Sequence, residues 1–330
     1  MRIISIVAIL GLTTACTSEN ELRYTSTLQA ETNGVALSED GLDAYAAMSG
    51  TTCKVDTNFG CPTSDANLPT EEEKVVDFWN GRLLGASVEG VHTIEQEQWL
   101  PDFDLPIQDV ISAKLTEEGT IVMSGRPDDV CIFTTDAWTF DLPGELCAES
   151  VVTDIDRSRG AIFAATDLGD VFRIDALGAE LIREDADLVA VDPGRDLVLF
   201  ANRGGREITA VDSSEELLWS VGTEGWIESV AVRGGRDLLL LLRDVEGGFG
   251  TVERRSLESG ELIGSTSVPS IDGTLVVSDN GRTVGIVGLS EVNWYNLELP
   301  GDEPVIDETV ETCMDMWDRG SGGWNLSIGD

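Results

Sequence analysis

The side chains best suited to chemistry are six cysteines, at positions 16, 53, 61, 131, 147 and 313, a lone histidine, His92, and a dense population of carboxylates. A structural zinc site needs several thiolate or imidazole ligands, typically with two of them a few residues apart. No Cys-x-x-Cys spacing occurs and His92 lies near no cysteine pair, so no metal is expected. The segment GVHTIE places His92 on a strand beside a turn, where it reads as a structural residue rather than a general base. The close pairs Asp102 with Asp104, Asp154 with Asp156 and Asp185 with Asp187 are hard oxygen donors of the kind calcium takes. No EF-hand loop accompanies them, and 61 acidic residues produce such neighbours by chance, so they read as solvated surface. Serine hydrolysis finds no Gly-x-Ser-x-Gly motif. No catalytic or cofactor-binding residue is assigned, and no cofactor is expected.

The carboxylates dominate the electrostatics. Across 330 residues, 21 Lys plus Arg face 61 Asp plus Glu, a formal charge of −40. Nucleic acids and anionic bilayers are held by positive surface, so neither is an expected partner. Such a chain repels its own copies and is expected to be monomeric. An acidic surface also suits a saline medium, where salt screens the repulsion. With 42% hydrophobic residues the chain can build a large core, which excludes global disorder.

At the amino end, Met1 and Arg2 precede an apolar run, residues 3–12, broken only by Ser5; Thr13, Thr14 and Ala15 then lead to Cys16. This is the layout of a secretory signal, residues 1–15. Small residues directly before a cysteine resemble the bacterial lipobox, and the resemblance implies that Cys16 is diacylated and becomes the new amino terminus. Thr13 stands where that family prefers Leu, and cleavage after Ala15 with free secretion is the alternative. A lipid would hold the protein in the cell envelope, at the outer membrane, and would be its only membrane contact. Residues 16–32 are polar and read as a flexible tether. No other run approaches the ~20 apolar residues that span a bilayer; five leucines, 238–242, end at Arg243.

The interior repeats. An apolar stretch, a polar turn and a second apolar stretch recur, with the turns marked by Ser38, Asn80, Thr116, Asp156, Asp192, Arg233 and Ser278 at spacings of 36 to 45 residues. A second set of turns follows 15 to 23 residues later, at Asp56, Glu95, Asp136, Asp175, Asp212, Ser256 and Asn296. Each unit thus holds four short strands joined by turns of Asp, Asn, Ser and Gly, residues that satisfy turn backbone or tolerate positive φ. One small sheet cannot cover both its faces, and radial stacking does so, so the expected fold is an all-β propeller of seven four-stranded blades over residues 33–317. Six or eight blades stay open, because either residues 305–317 or a strand near Leu22 to Leu28 can complete the last sheet. Residues 318–330 read as a flexible tail. In this scheme Cys53 and Cys61 flank one hairpin turn, and Cys131 and Cys147 tie a third strand to the segment after it. Export permits both disulfides. With Cys16 lipidated, Cys313 stays free or pairs between chains; without the lipid, three disulfides become possible.

The pieces VALSEDG, from Val35, and LVVSDNG, from Leu275, look like the Ser-Pro-Asp-Gly turn of WD40-like and YVTN-type bacterial propellers, with Glu39 and Asp279 in place of Pro. ITAVDSSEELLW and VERRSLESGELI are similar to quinoprotein-type (PQQ-like) repeats. Together with Cys16 the resemblance is to bacterial β-propeller lipoproteins. It implies the fold more than a chemistry, since propellers host enzymes and scaffolds alike. The expected function is non-catalytic binding of a protein or glycan partner at the envelope. The alternative is a hydrolase or lyase acting on a sugar or lactone in the central channel, with Arg195, Arg236 and Asp156 as first candidates.

Overall fold

Runs of four to eight residues rich in Val, Leu, Ile and Ala, each stopped by Asp, Asn, Ser or Gly, form strands because these side chains pack on a pleated surface while the turn residues satisfy the reversing backbone. The computed structural model describes residues 22–297 except 30, 49–50, 59, 67–73, 80–81, 88–89, 96–97, 100–108, 116–120, 127–132, 135–151, 159–160, 176–177, 193, 196, 213, 245–247, 270–272 and 279, with some strand positions between 33 and 178 described by backbone alone. Among the described residues there is no helix.

Strand β1 (Leu22–Leu28) precedes seven meanders. The first sheet holds β2 (Thr32–Leu37), β3 (Asp43–Met48), β4 (Thr51–Asp56) and β5 (Cys61–Ala66); the second β6 (Lys74–Trp79), β7 (Arg82–Ser87), β8 (Gly90–Glu95) and β9 (Gln98–Trp99); the third β10 (Asp109–Leu115), β11 (Ile121–Arg126) and β12 (Phe133–Thr134). The fourth holds β13 (Val152–Ser158), β14 (Ala161–Thr166), β15 (Val171–Asp175) and β16 (Gly178–Arg183); the fifth β17 (Leu188–Asp192), β18 (Leu197–Ala201), β19 (Glu207–Asp212) and β20 (Leu217–Gly222). The sixth holds β21 (Trp226–Arg233), β22 (Asp237–Arg243), β23 (Gly250–Ser256) and β24 (Leu262–Val268), and the seventh β25 (Thr274–Val277), β26 (Thr283–Val287) and β27 (Val292–Leu297).

All pairings are antiparallel between sequence neighbours, except that β1 joins β27 as the outer strand of the seventh sheet. The first strands contact one another in turn, β2 with β6, β6 with β10, β10 with β13, then β17, β21, β25 and back to β2. This is a closed β-propeller. Among the described residues six of the seven sheets have four strands and the third has three. Of the two routes open for the last sheet, β1 is the one that pairs, with Leu22 opposite Leu297 and Leu28 opposite Val292. The tether boundary at residue 32 is corrected accordingly, because residues 22–28 form a strand paired with β27 whose Leu22, Ser26 and Leu28 are buried in the ring. Residues 305–317 lie outside the described residues.

The inner strands are apolar on both faces because a sheet stands against each of them. In β22, Leu238, Leu240 and Leu242 enter a core shared with the fifth sheet, whereas Leu239 and Leu241 enter one shared with the seventh. Alternation between two cores converts the period of two into an unbroken leucine run. Fully burying each such side chain contributes roughly 1.5–3 kcal/mol. The turn markers Ser38, Asp192, Arg233 and Ser278 fall where a first strand meets its turn, and Asp56, Asp175, Asp212 and Ser256 end third strands. Asp156 lies within β13, two residues before its strand ends, and Asn296 lies within β27.

Candidate functional site

A first strand has a free edge toward the axis, and its N–H groups must find acceptors. The chain supplies them from the neighbouring sheet. Asp154 and Asp156 of β13 accept from the backbone N–H of Val189 (3.2 Å) and Val191 (2.8 Å) of β17, and the Ser229 hydroxyl of β21 accepts from Leu275 N–H of β25 (3.1 Å). The equal offset of the first two bonds fixes β13 and β17 as running the same way.

One end of the ring is sewn turn to turn. In the 38–43 turn, the Ser38 hydroxyl donates to Asp40 (2.7 Å) and accepts from Asp43 N–H, and Asp40 accepts from Leu42 N–H. The 278–283 turn repeats this with Ser278, Asn280, Thr283 and Arg282. Hydrogen bonding by Ser38 and Leu42 holds the Asp40 carboxyl below its ordinary range. The two turns then join: Asn280 N–H donates to the Glu39 carbonyl, the Asn280 amide to the Asp40 carbonyl and the Thr283 hydroxyl to the Gly41 carbonyl. Gly41, at φ +73°, lies so close to Thr283 that a Cβ there would overlap its hydroxyl oxygen. The Asn296 amide donates to Asn58, and the Ser26 hydroxyl of β1 to the Thr57 carbonyl.

The 233–237 turn at this end holds a buried charge cluster. Asp237 accepts from Arg233 (2.9 Å) and from Arg254 through Nε and Nη2 (3.1 and 2.6 Å). Burial is the main cause pulling Arg233 down to about 10, opposed by Asp237 and assisted by Arg254. Arg254 itself sits in β23 next to the Glu253–Arg255 pair, whose guanidinium also donates to the carbonyls of Gly260 and Gly222. These charges hold strands together and are closed to solvent.

The opposite end is built from the connections between second and third strands, and it is stitched too: Gly204 N–H donates to the Ile227 carbonyl and Ile227 N–H to the Gly205 carbonyl. Leu168, Phe249 and Leu289 stand at the tips of those connections in the fourth, sixth and seventh sheets, exposed by 62%, 67% and 88%. In the fifth sheet the same connection carries exposed Arg203, whose N–H donates to Asp187. Nearby, Trp226 starts β21 with the guanidinium carbons of Arg206 and Arg243 at 5.8 and 5.0 Å from its ring, and Arg243 pairs with Glu228 at 3.1 Å. Arginine over an indole face is attracted by the ring quadrupole.

Residues singled out from sequence are dispersed. His92 is in β8, opposite Gly85. Cys53 is buried in β4 in the core between the first and seventh sheets. Cα register sets Cys53 against Asp65 and Cys61 against Asp56, so the hairpin does not bring these two cysteines directly opposite each other. Cys16, Cys131, Cys147, Cys313, Asp102 and Asp104 lie outside the described residues. Asp154 and Asp156 serve as inter-sheet acceptors, and Asp187 accepts from Arg203. Asp185 offers its carbonyl to the Asn202 amide. Arg195 lies on a turn 3.6 Å from Asp192 and 3.5 Å from Glu258, and Arg236 is exposed on another turn. Among the described residues no group of three His, Cys, Asp or Glu is arranged to hold a metal. Sequence reasoning missed the apolar tips. Their signal is a lone large apolar residue among turn formers, as in TDLGD, GGFGT and GLSEV.

No family model matches this sequence, and no curated protein matches it either. Solved structures do. The crystal structure of the Myceliophteria thermophila Cps50 (Swd1) beta-propeller domain is similar with a TM-score of 0.64 at 12% identity, over 84% of this chain and 100% of that one. The WD40 beta propeller domain of Doa1 is similar with a TM-score of 0.60 at 14% identity, over 84% of this chain and 98% of that one. At these identities the likeness establishes the fold, an all-β propeller shared with WD40 domains.

Proposed function

We propose that this protein is a non-catalytic scaffold that binds a protein partner through the end of the ring carrying Leu168, Phe249 and Leu289, and that a lipid on Cys16 holds it in the cell envelope. The carrying observation is that Leu168, Phe249 and Leu289 stand exposed on the second-to-third-strand connections of three sheets at one end of the ring. Large apolar side chains held in water on one face offer a protein partner apolar surface to bury. The likeness to WD40 propeller domains supports a scaffold role by analogy of fold.

The anchor also gives the ring a direction. β1 begins six positions after Cys16, a length that spans at most ~22 Å even fully extended. Leu22 pairs with Leu297, whose N–H donates to the Arg282 carbonyl in the 278–283 turn. A lipid on Cys16 therefore sets the sewn end toward the bilayer and the apolar tips away from it.

The test places a photo-crosslinking residue at Leu168, Leu289 or, as the control, Arg236 of the sewn end, in intact cells. Discrete adducts from the first two and none from the third support the reading; adducts from Arg236 alone contradict it. Intact mass of the amino-terminal peptide decides the anchor, and release of the Cys16→Ala protein from membranes is the expected companion result.

A further inference from the structure

We infer that β24, the outer strand of the sixth sheet, is a strand-addition site that takes an extended segment of a partner protein, a segment without acidic residues and with apolar side chains near both its ends. The inference rests on the protein-binding reading above and adds a second place and a mode of binding.

An outer strand presents unpaired backbone donors and acceptors, and proteins blunt such edges with charge, proline or brevity. Apart from β20, the other described outer strands do so. β5 carries Pro62 and Asp65, β16 carries Glu180 and Arg183, β1 carries Arg23, and β9 and β12 have two residues each. β20 has no charge of its own, but Glu207 of the adjoining strand accepts from its Ser220 hydroxyl. β24 differs from all of these. Its seven residues, LIGSTSV, include no charge and no proline. Its neighbours across the pairing add none to the surface, because Glu253 and Arg254, opposite Ser265 and Gly264, are buried.

The edge also has anchors. Leu262 and Ile263 begin it, exposed by 54% and 40%. At the other end Val268 pairs with Gly250, which follows the exposed Phe249. Between them Ser265 and Ser267 face solvent. Apolar groups thus flank a polar, unblunted edge six residue steps long, roughly 20 Å. In strand addition the main chain gives affinity and flanking side-chain contacts give specificity. The occupant's charge follows from the whole molecule: at −40 it disfavours a second copy and attracts a neutral or cationic segment. Glu261, immediately before β24 and exposed, adds to that preference.

The probe is a seven-residue peptide of alternating valine and threonine with one lysine at each end, offered to the full chain. A control of identical charge carries N-methyl groups on alternate amides along one edge. Binding is followed by fluorescence anisotropy and by amide exchange in β24. Expected are slowed exchange confined to β24, at least tenfold weaker binding of the N-methylated peptide, and a similar loss in Ser267→Lys and in the Phe249→Ser, Leu262→Ser double variant. All three positions are solvent-exposed, so the ring should remain folded, as circular dichroism would verify. Equal binding of both peptides, unchanged β24 exchange, or self-association abolished by Ser267→Lys would overturn the inference. Adducts at Leu168 and Leu289 alongside any of those results would leave the scaffold reading standing and remove only this site.

Discussion

The indole N–H of Trp219 in β20 donates to the carbonyl of Leu257, 3.0 Å away in the next sheet, and the indole ring lies against Gly260. One side chain thus couples the rim of the fifth sheet to a turn of the sixth. Gly260 has φ +70°, and a Cβ there would stand 2.7 Å from Trp219 Cε3.

Gly260→Ala should therefore combine overpacking, about 1–3 kcal/mol, with left-handed backbone strain of roughly 1–2 kcal/mol. Trp219→Phe keeps most of the ring and leaves the Leu257 carbonyl unpaired, a cost of about 1–3 kcal/mol. Urea unfolding of the two variants measures both. A Gly260→Ala protein as stable as wild type would mean that the turn does not seat against the indole.

Burial separates two ion pairs of nearly equal length. Arg233–Asp237 is 2.9 Å with side chains 4% and 10% exposed, whereas Lys54–Asp43 is 2.8 Å with side chains 35% and 32% exposed. Asp237→Asn removes the carboxylate that two buried guanidinium groups share and should cost roughly 3–5 kcal/mol. Lys54→Ala should cost no more than about 1 kcal/mol. The same unfolding assay compares them, and equal losses would contradict the buried cluster.

The β1 latch should respond to acid. Glu291 accepts from the Asn293 amide and the Gln29 amide, and Asn293 accepts from the Thr27 hydroxyl of β1. These bonds, Asn293 first, hold the Glu291 carboxyl below its ordinary value of 4.5. A depressed acid contributes its stability above the unfolded value and loses it as pH falls through the folded one. Stability should therefore decline from about pH 4.5 downward, and Glu291→Gln should flatten that part of the profile. Thermal melts between pH 7 and pH 3 read the slope; an unaltered slope in the variant would count against the latch.

Two leucines test the difference between tip and core. Leu289→Asp replaces a side chain 88% exposed and should change stability by no more than about 0.5 kcal/mol. Leu240→Ala removes a fully buried one and should cost about 2–5 kcal/mol. Only the first should lose photo-adducts while keeping its fold.

The sequence carried the repeat because each turn needs particular residues: Ser38 and Ser278 make the same bonds in their turns, and both stand out in a self-alignment. The five leucines of β22 were legible as a buried strand for the same local reason. Closure was legible only as one of two routes, since β1 must pair with β27 some 270 positions later and nothing local in LRYTSTL names that partner. The roles of Asp154 and Asp156 were also hidden. Two carboxylates two residues apart look like any acidic surface until the ring brings the N–H groups of Val189 and Val191 to them.

Closure of the ring by its amino-terminal strand underlies the direction of the tether, and native-state amide exchange across β1 and β27 tests it most directly. If β1 closes the ring, its paired amides exchange as slowly as those of β27 and both open together in low denaturant. Rapid exchange throughout β1 while β25, β26 and β27 stay protected would contradict closure.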